Sequence, residues 1–237
     1  MEFRGITREC DRLWSEGAMA LVGISPFNSY FSTERIQSII DFCEDGGRAV
    51  ALFVPDDVTR FTLQARGYTK DEAVRKTSRQ MRYLRNKMNQ AMGARRLAIL
   101  GCESLATNAA YQNRLAEALD RFETDDVFRR RCLDTTRWVL SAKDGEPVGL
   151  DAAMLGVQYL LAELPLFFHA SEMIGSDVVF VYHQCPLLIS ETYQGELAGK
   201  VSRGQGFGVL RPHELAGEAA EQLQTHALQV PCPNRCR

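Results

Sequence analysis

The sequence predicts an α/β fold: a single Rossmann-like domain with a central, mostly parallel five-stranded sheet flanked by helices. Three observations carry that expectation. Five apolar or β-branched runs of strand length, at 18–24, 48–54, 96–101, 177–182 and 206–210, alternate with helical patterns. The first two runs enclose one helix, the strand–helix–strand order that builds parallel sheets. The 237 residues suit one domain of this class, and a composition 45% hydrophobic and 24% charged supplies a core while excluding disordered or collagen-like chains.

The elements follow in order. Ala18–Ile24 opens the sheet. Ser32 then caps a helix whose Ile36, Ile39, Ile40 and Cys43 keep the i, i+3, i+4, i+7 spacing of a buried face, and Asp45-Gly46-Gly47 stops it. After the strand at 48–54, a long helix from about 70 to 92 places Val74, Thr77, Met81, Leu84 and Met88 on one stripe. Beyond the strand at 96–101, helical patterns cover 108–122, 125–142 and 150–163, and another covers 213–224 after the last strand. Residues 225–237 read as a flexible tail of the same domain. The longest apolar runs are strand-sized and the first ten residues lack an apolar targeting segment. A soluble, cytoplasmic monomer without membrane attachment is expected.

Cysteines stand at 10, 43, 102, 132, 185, 232 and 236, an odd number with no C-x-x-C pair, which reads as reduced thiols rather than a disulfide framework. Cys232 and Cys236 flank Pro-Asn-Arg and fit either a frayed terminus or an oxidisable, soft-metal-binding pair. The four histidines, at 169, 183, 213 and 226, form no metal-ligand spacing, so no metal or cofactor is expected.

The net charge of −2 hides an asymmetry. Residues 66–96 hold ten Lys and Arg against Asp71 and Glu72 alone, a net of +8 that leaves the rest of the chain at −10. Within the long helix, Arg75, Arg79 and Arg82 recur at i, i+4, i+7, flanked by Lys76, Arg85 and Lys87. A solvated face normally interleaves Glu with Lys, so an acid-free ridge points to a polyanion such as a nucleic-acid backbone. Only Tyr83 offers an aromatic ring there, which favours phosphate contacts over base stacking.

Two further sites bear on chemistry. Gly23-Ile24-Ser25 ends the first strand, where an open parallel sheet binds its ligands. Ser25 reads as a helix cap or as a nucleophile; neither a G-x-S-x-G elbow nor a phosphate loop surrounds it. Tyr159 and Glu163 lie one turn apart on an apolar helix. A carboxylate there needs a cation, either an Arg of the chain itself or a ligand ammonium.

Together these segments resemble the signatures of the cyclodipeptide synthases. Leu21-Val22-Gly23-Ile24-Ser25 with Asn28-Ser29-Tyr30-Phe31 matches the first motif, and Tyr159 to Pro165 matches Y-x-x-x-E-x-P. Tyr182-His183 and Leu210-Arg211-Pro212-x-Glu214-Leu215 add two more, so the resemblance runs over residues 10–216 in the correct order. Asn28, Tyr182 and His183 match the marker set of the N-Y-H subfamily. A His often precedes the family's nucleophile by six residues; Met19 stands there instead. The family resembles the catalytic domain of class I aminoacyl-tRNA synthetases. The chain has no H-I-G-H, and Lys200-Val-Ser-Arg-Gly204 departs from K-M-S-K-S. ATP is not implied, because the substrates arrive activated.

The resemblance implies two aminoacyl-tRNAs as substrates and a cyclic dipeptide as product. Ser25 becomes the nucleophile, Tyr159 and Glu163 hold the α-ammonium, Tyr182 relays a proton and Asn28 shapes the surroundings of Ser25. A first side-chain pocket is implied at Leu21, Gly23, Leu166 and Tyr182, joined by Cys102, Tyr111 and Phe180; without charged groups it favours an apolar residue. His183 belongs to the same substrate region, and a second, partly polar pocket is expected near Thr135, Trp138 and Gln184. The ridge formed by Arg75, Lys76, Arg79, Arg82, Arg85 and Lys87 becomes the tRNA contact. Two rival readings stand beside this one: a serine hydrolase or acyltransferase with His183 as base, and a tRNA-binding module without catalysis.

Overall fold

The computed structural model describes residues 1–144 and 147–212. The expected helix at 213–224, the tail at 225–237, Glu214, Leu215, Cys232 and Cys236 lie outside the described residues. The chain runs β1 (Glu2–Gly5), α1 (Arg8–Ser15), β2 (Met19–Gly23), α2 (Thr33–Asp45), β3 (Val50–Val54), a 3-10 turn (Asp56–Val58), α3 (Thr59–Ala65) and α4 (Lys70–Met92). It continues β4 (Ala98–Gly101), α5 (Cys102–Leu105), α6 (Ala109–Thr124), α7 (Asp126–Asp144), α8 (Leu150–Ile174), β5 (Val178–Tyr182), α9 (Leu187–Gln194) and β6 (Gln205–Arg211).

The sheet order is β1-β6-β5-β2-β3-β4, with six strands rather than the five expected. The added strand, β1, pairs antiparallel to β6 at the edge; its Glu-Phe-Arg-Gly sequence is too short and too polar to announce a strand. All other pairings are parallel. From β2 the chain proceeds outward through β3 and β4, then returns to β5 on the other side of β2. The β2–β5 boundary is therefore the topological switch point, where an open sheet forms its ligand crevice.

Burial on both faces explains the strand sequences. Leu21, Ala51, Phe53, Val178 and Phe180 enter one core layer with α6, α7, α8 and α9, while Ala20, Val22, Val50, Leu52, Val54, Val179 and Val181 enter the other with α1, α2 and α4. A sheet covered on both sides reads as continuous apolar runs. Along α2, Ile36, Ile39, Ile40 and Cys43 are buried and the Ser32 side chain accepts from Arg35 N–H, as the spacing implies. Along α4 the buried face holds Ala73, Thr77, Met81, Leu84 and Met88; Val74 is 43% exposed, and the smaller Ala73 takes its expected place.

The helix expected at 150–163 instead runs to Ile174, straight through Pro165. Proline deprives the carbonyl four residues earlier, that of Leu161, of its helical donor. Next to it, the buried Tyr111 hydroxyl donates to the Ala162 carbonyl at 3.0 Å, holding the interrupted turn in place. Helix α8 is long and apolar enough to cross a bilayer, but 56% of its most apolar window is buried within this fold and it packs against α3, α6 and α7. Its apolarity is that of a central core helix. Cys10, Cys43, Cys102, Cys132 and Cys185 are all free thiols.

Candidate active site

Gly23 ends β2 because a side chain there has no room: a Cβ would lie 2.7 Å from Phe180 Cζ and 3.3 Å from Tyr182 Cδ2. Ser25 follows at the C-terminal end of the strand. The register pairs Leu21 with Phe180 and Val22 with Val181, so Tyr182 ends β5 alongside Gly23. From that position the Tyr182 hydroxyl donates to Ser25 Oγ at 2.8 Å. Beyond Ser25 the chain turns sharply. Phe27 has φ +59°, a left-handed conformation that costs a non-glycine residue on the order of 1 kcal/mol and holds the loop in one shape.

Asn28 pins that loop from the other side. Its Oδ1 accepts from Tyr30 N–H at 3.0 Å, which leaves Nδ2 to meet His183 Nε2 at 3.0 Å. An amide nitrogen only donates, so Nε2 accepts and the imidazole is neutral. Burial lowers the His183 pKa to about 4, in keeping with that assignment. The ring stacks on Tyr30 at 4.5 Å and meets Phe31 edge-on at 5.5 Å. His183 is thus a bracket between the loop and β5. It does not bond to Ser25, and among the described residues no carboxylate orients it. The Ser–His–acid arrangement that the hydrolase reading needs is not assembled.

The switch point opens into a cavity of about 630 Å³, within the usual range for small-molecule sites. Gly23, Ser25, Asn28, Phe180, Tyr182 and His183 line it from the sheet, and Tyr159, Glu163 and Phe167 line it from α8. Among the described residues Glu163 forms no ion pair, so the Arg of the chain itself that its sequence context allowed is not its partner. Burial drives its carboxyl up to about 8, partly offset by the nearby Tyr159 hydroxyl. Burial, followed by the Glu163 charge, raises Tyr159 well above the usual phenol range. Burial raises Tyr182 as well. Both phenols are therefore neutral donors at pH 7. The site combines a serine, two phenols and one carboxyl group that has no counter-charge among the described residues and is largely protonated in the empty cavity.

A model of the cyclodipeptide synthase family matches residues 1–212. The chain belongs to the cyclodipeptide synthase family. Among its relatives, the cyclo(L-tyrosyl-L-tyrosyl) synthase of Mycobacterium tuberculosis is 29% identical over 217 residues, covering 88% of this chain and 75% of that one. The crystal structure of a cyclodipeptide synthase from Bacillus thermoamylovorans superposes with a TM-score of 0.84 at 27% identity, covering 89% and 95%. A Mycobacterium tuberculosis cyclodipeptide synthetase, described as showing the relation of these proteins to type I tRNA synthetases, superposes with a TM-score of 0.79 at 27% identity, covering 89% and 92%. The Rossmann-like fold expected from the sequence is the fold of this family.

On this cyclodipeptide synthase frame the expected site residues divide. Ser25, Asn28, Tyr159, Glu163, Gly23, Phe180, Tyr182 and His183 share the cavity wall. Leu21, Cys102, Tyr111 and Leu166 lie fully buried behind that wall and do not line it. Thr135, Trp138 and Gln184, expected around a second pocket, do line it. Sequence reasoning missed α3, whose Thr59, Thr62 and Arg66 close the cavity opposite the sheet. Seven residues without a hydrophobic stripe gave no periodic signal to find.

The ridge on α4 divides as well. Arg75, Arg79 and Arg82 are exposed and, among the described residues, make no ion pair. Lys76 is exposed with its ammonium over the Tyr68 ring at 4.6 Å. Arg85 bonds Asp56 at 3.2 Å, and Lys87 donates to the Phe31 carbonyl at 3.2 Å, tying the helix to the loop behind Ser25. Arg95, part of the same basic run, bridges Asp41 and Glu44 on α2.

Proposed function

We propose that the chain is an N-Y-H-type cyclodipeptide synthase that joins the aminoacyl groups of two aminoacyl-tRNAs through a seryl ester. The observation that carries this reading is the pairing of Ser25 with Tyr182 beside Glu163, a buried carboxyl without a partner charge that a bound cation would ionise. An aminoacyl ester offers both partners at once: a carbonyl for the serine and an α-ammonium for the carboxylate.

The sequence of steps follows from the groups present. Tyr159 and Glu163 hold the α-ammonium, a charge-assisted contact worth about 1.5–3 kcal/mol. Ser25 Oγ attacks the carbonyl; a new ester forms as the old one breaks, and the hydroxyl proton passes to the departing tRNA 3′-oxygen. Exchange of one ester for another needs placement more than a strong base. Glu163 then takes the proton of the bound ammonium. Burial, which raises the Glu163 carboxyl, favours its taking up that proton. The freed amine attacks the ester carbonyl of the second aminoacyl-tRNA; an amide forms as that ester breaks, the second tRNA departs with the amine's proton on its 3′-oxygen, and a dipeptidyl-enzyme results. Its terminal amine attacks the seryl ester; the second amide closes the six-membered ring as that ester breaks, and Tyr182 relays the amine's proton to Ser25 Oγ.

The exposed Arg75, Arg79 and Arg82 are the contacts for the tRNA backbone. Around the first aminoacyl side chain the walls are Phe167, Phe180 and Phe207, which suits an apolar residue. The test is mass spectrometry of medium from cells expressing the chain. Cyclic dipeptides present with wild type and lost with Ser25→Ala support the reading. Their absence in wild type, with release of free amino acid from aminoacyl-tRNA, would favour a hydrolase instead.

A further inference from the structure

We infer that Asp56 is a positioning residue for tRNA: its buried carboxyl fixes the guanidinium of Arg85 at the edge of the α4 ridge, preset to receive a backbone phosphate. The inference rests on the aminoacyl-tRNA reading above. It adds to the exposed Arg75, Arg79 and Arg82 a further cation and the group that orients it.

Asp56 follows β3 and opens the 3-10 turn with φ +43°, a left-handed conformation uncommon for any residue with a side chain. Its side chain is only 4% exposed, and its Oδ1 accepts from an Arg85 terminal nitrogen at 3.2 Å. Among the described residues no other cation bridges it. The carboxyl also occupies the space of a missing side chain: a Cβ on Gly101 would lie 1.5 Å from Asp56 Oδ2. A left-handed turn, a buried acid and an obligatory glycine thus coincide at the C-terminal ends of β3 and β4. Burial raises the carboxyl, and the Arg85 hydrogen bond and charge draw it back. Apolar replacements for such pairs are often as stable or more so, so stability alone does not account for this one. Backbone strain that the fold maintains around one side chain points to a use for that side chain.

The use lies on the partner's side. Arg85 stands three residues beyond Arg82, and its side chain is 55% exposed. Packing does not hold it, because a cavity of about 180 Å³ borders the pair, with Glu103 and Ser104 on its wall. Among the described residues neither of those bonds the guanidinium, so Asp56 alone sets its direction. One carboxyl bond leaves most of the five guanidinium donors for a second, anionic partner. A guanidinium already held in place gives up less freedom when a phosphate arrives than the free arginines of the ridge do.

The test measures binding of the purified full chain to leucyl-tRNA with an amide in place of its ester, which binds without turnover. Asp56→Asn keeps a residue that tolerates the left-handed turn and removes only the carboxylate. Simple electrostatics would have this loss of a negative charge tighten binding to a polyanion. Positioning predicts the opposite sign, a weakening of about three- to fivefold. Arg85→Gln should weaken binding about tenfold and flatten the slope of log affinity against log salt by about one unit. In that background Asp56→Asn should add nothing, because it acts only through Arg85. The double variant also guards against misfolding, since it leaves no buried acid unpaired. Unchanged or tighter binding in Asp56→Asn, or a double variant weaker than Arg85→Gln, overturns the inference and leaves the carboxyl a purely structural group. The predicted changes without any cyclic dipeptide support the inference while overturning the synthase reading. A wild-type chain that fails to bind tRNA overturns both.

Discussion

Glu163 is the most consequential titratable group in the cavity. Its folded carboxyl is raised from 4.5 to about 8, so the folded protein holds a proton that the unfolded chain has released between those values. That contribution to stability is fully present below about pH 4.5 and is lost as pH rises through 8. Glu163→Gln removes the charge that must be desolvated. The variant should therefore be more stable than wild type above pH 8, by on the order of 2 kcal/mol once access of cavity water is allowed for, and similar to it near pH 4.5. Denaturant titrations at the two pH values check this. The same substitution should lower turnover of aminoacyl-tRNA by ten- to a hundredfold through loss of the ammonium contact. Stability and activity thus move in opposite directions, as expected of a group strained for function.

At the scale of elements, helix α4 makes a separable prediction. Reversing Arg75, Arg79 and Arg82 to Glu removes exposed charges that pack against nothing, so folding stability should shift by less than about 1 kcal/mol. Affinity for tRNA should fall, and the slope of log affinity against log salt should flatten by up to about three units. An unchanged slope would place the tRNA elsewhere. How far each element was legible in the sequence has a physical pattern. The both-face-buried strands β2, β3 and β5 announce themselves as continuous apolar runs, and the one-sided helices α2 and α4 by the period that burial of one face writes into the chain. The edge strand β1 does not, since pairing with β6 is a backbone affair that its alternating exposure hardly records. The helical pattern read at 150–163 stops short of Pro165, yet α8 continues through it because the core around it, with Tyr111 bonded to Ala162, outweighs the lost hydrogen bond. Likewise the polar wall of the cavity came from α3, where Thr59 and Arg66 are ordinary residues until α7 and α8 close over them. Ser25 and the Tyr159–Glu163 pair were legible as candidates from their places in the chain, but Tyr182 and the grouping of all four came only through the resemblance to a family; no spacing in the chain reveals that β2 and β5 are neighbours.

For the whole molecule, the site depends on an acid-sensitive clasp between the nucleophile loop and the sheet. His183 is neutral because its pKa falls to about 4, and burial likewise lowers His169 to about 4. Groups depressed in this way contribute stability above the unfolded value near 6.5 and lose it as pH falls through 4. The protein should therefore lose on the order of 2 kcal/mol per histidine across that window. Protonation of His183 also breaks its bond to Asn28, so activity should decline with stability; melting curves and turnover recorded together from pH 7 to 4 check the coupling. His183→Gln, which keeps a hydrogen-bonding group but does not titrate, should flatten the stability decline. The account's central claim is a covalent one, that the fold brings Ser25 to an aminoacyl ester and takes the acyl group. Intact-protein mass spectrometry after rapid quenching with a single apolar aminoacyl-tRNA tests it most directly. The account predicts a mass increase of one aminoacyl group, mapped to Ser25 by peptide sequencing and missing in Ser25→Ala. Cyclic dipeptide formation at an undiminished rate in Ser25→Ala, or an adduct mapped to another residue, would contradict it.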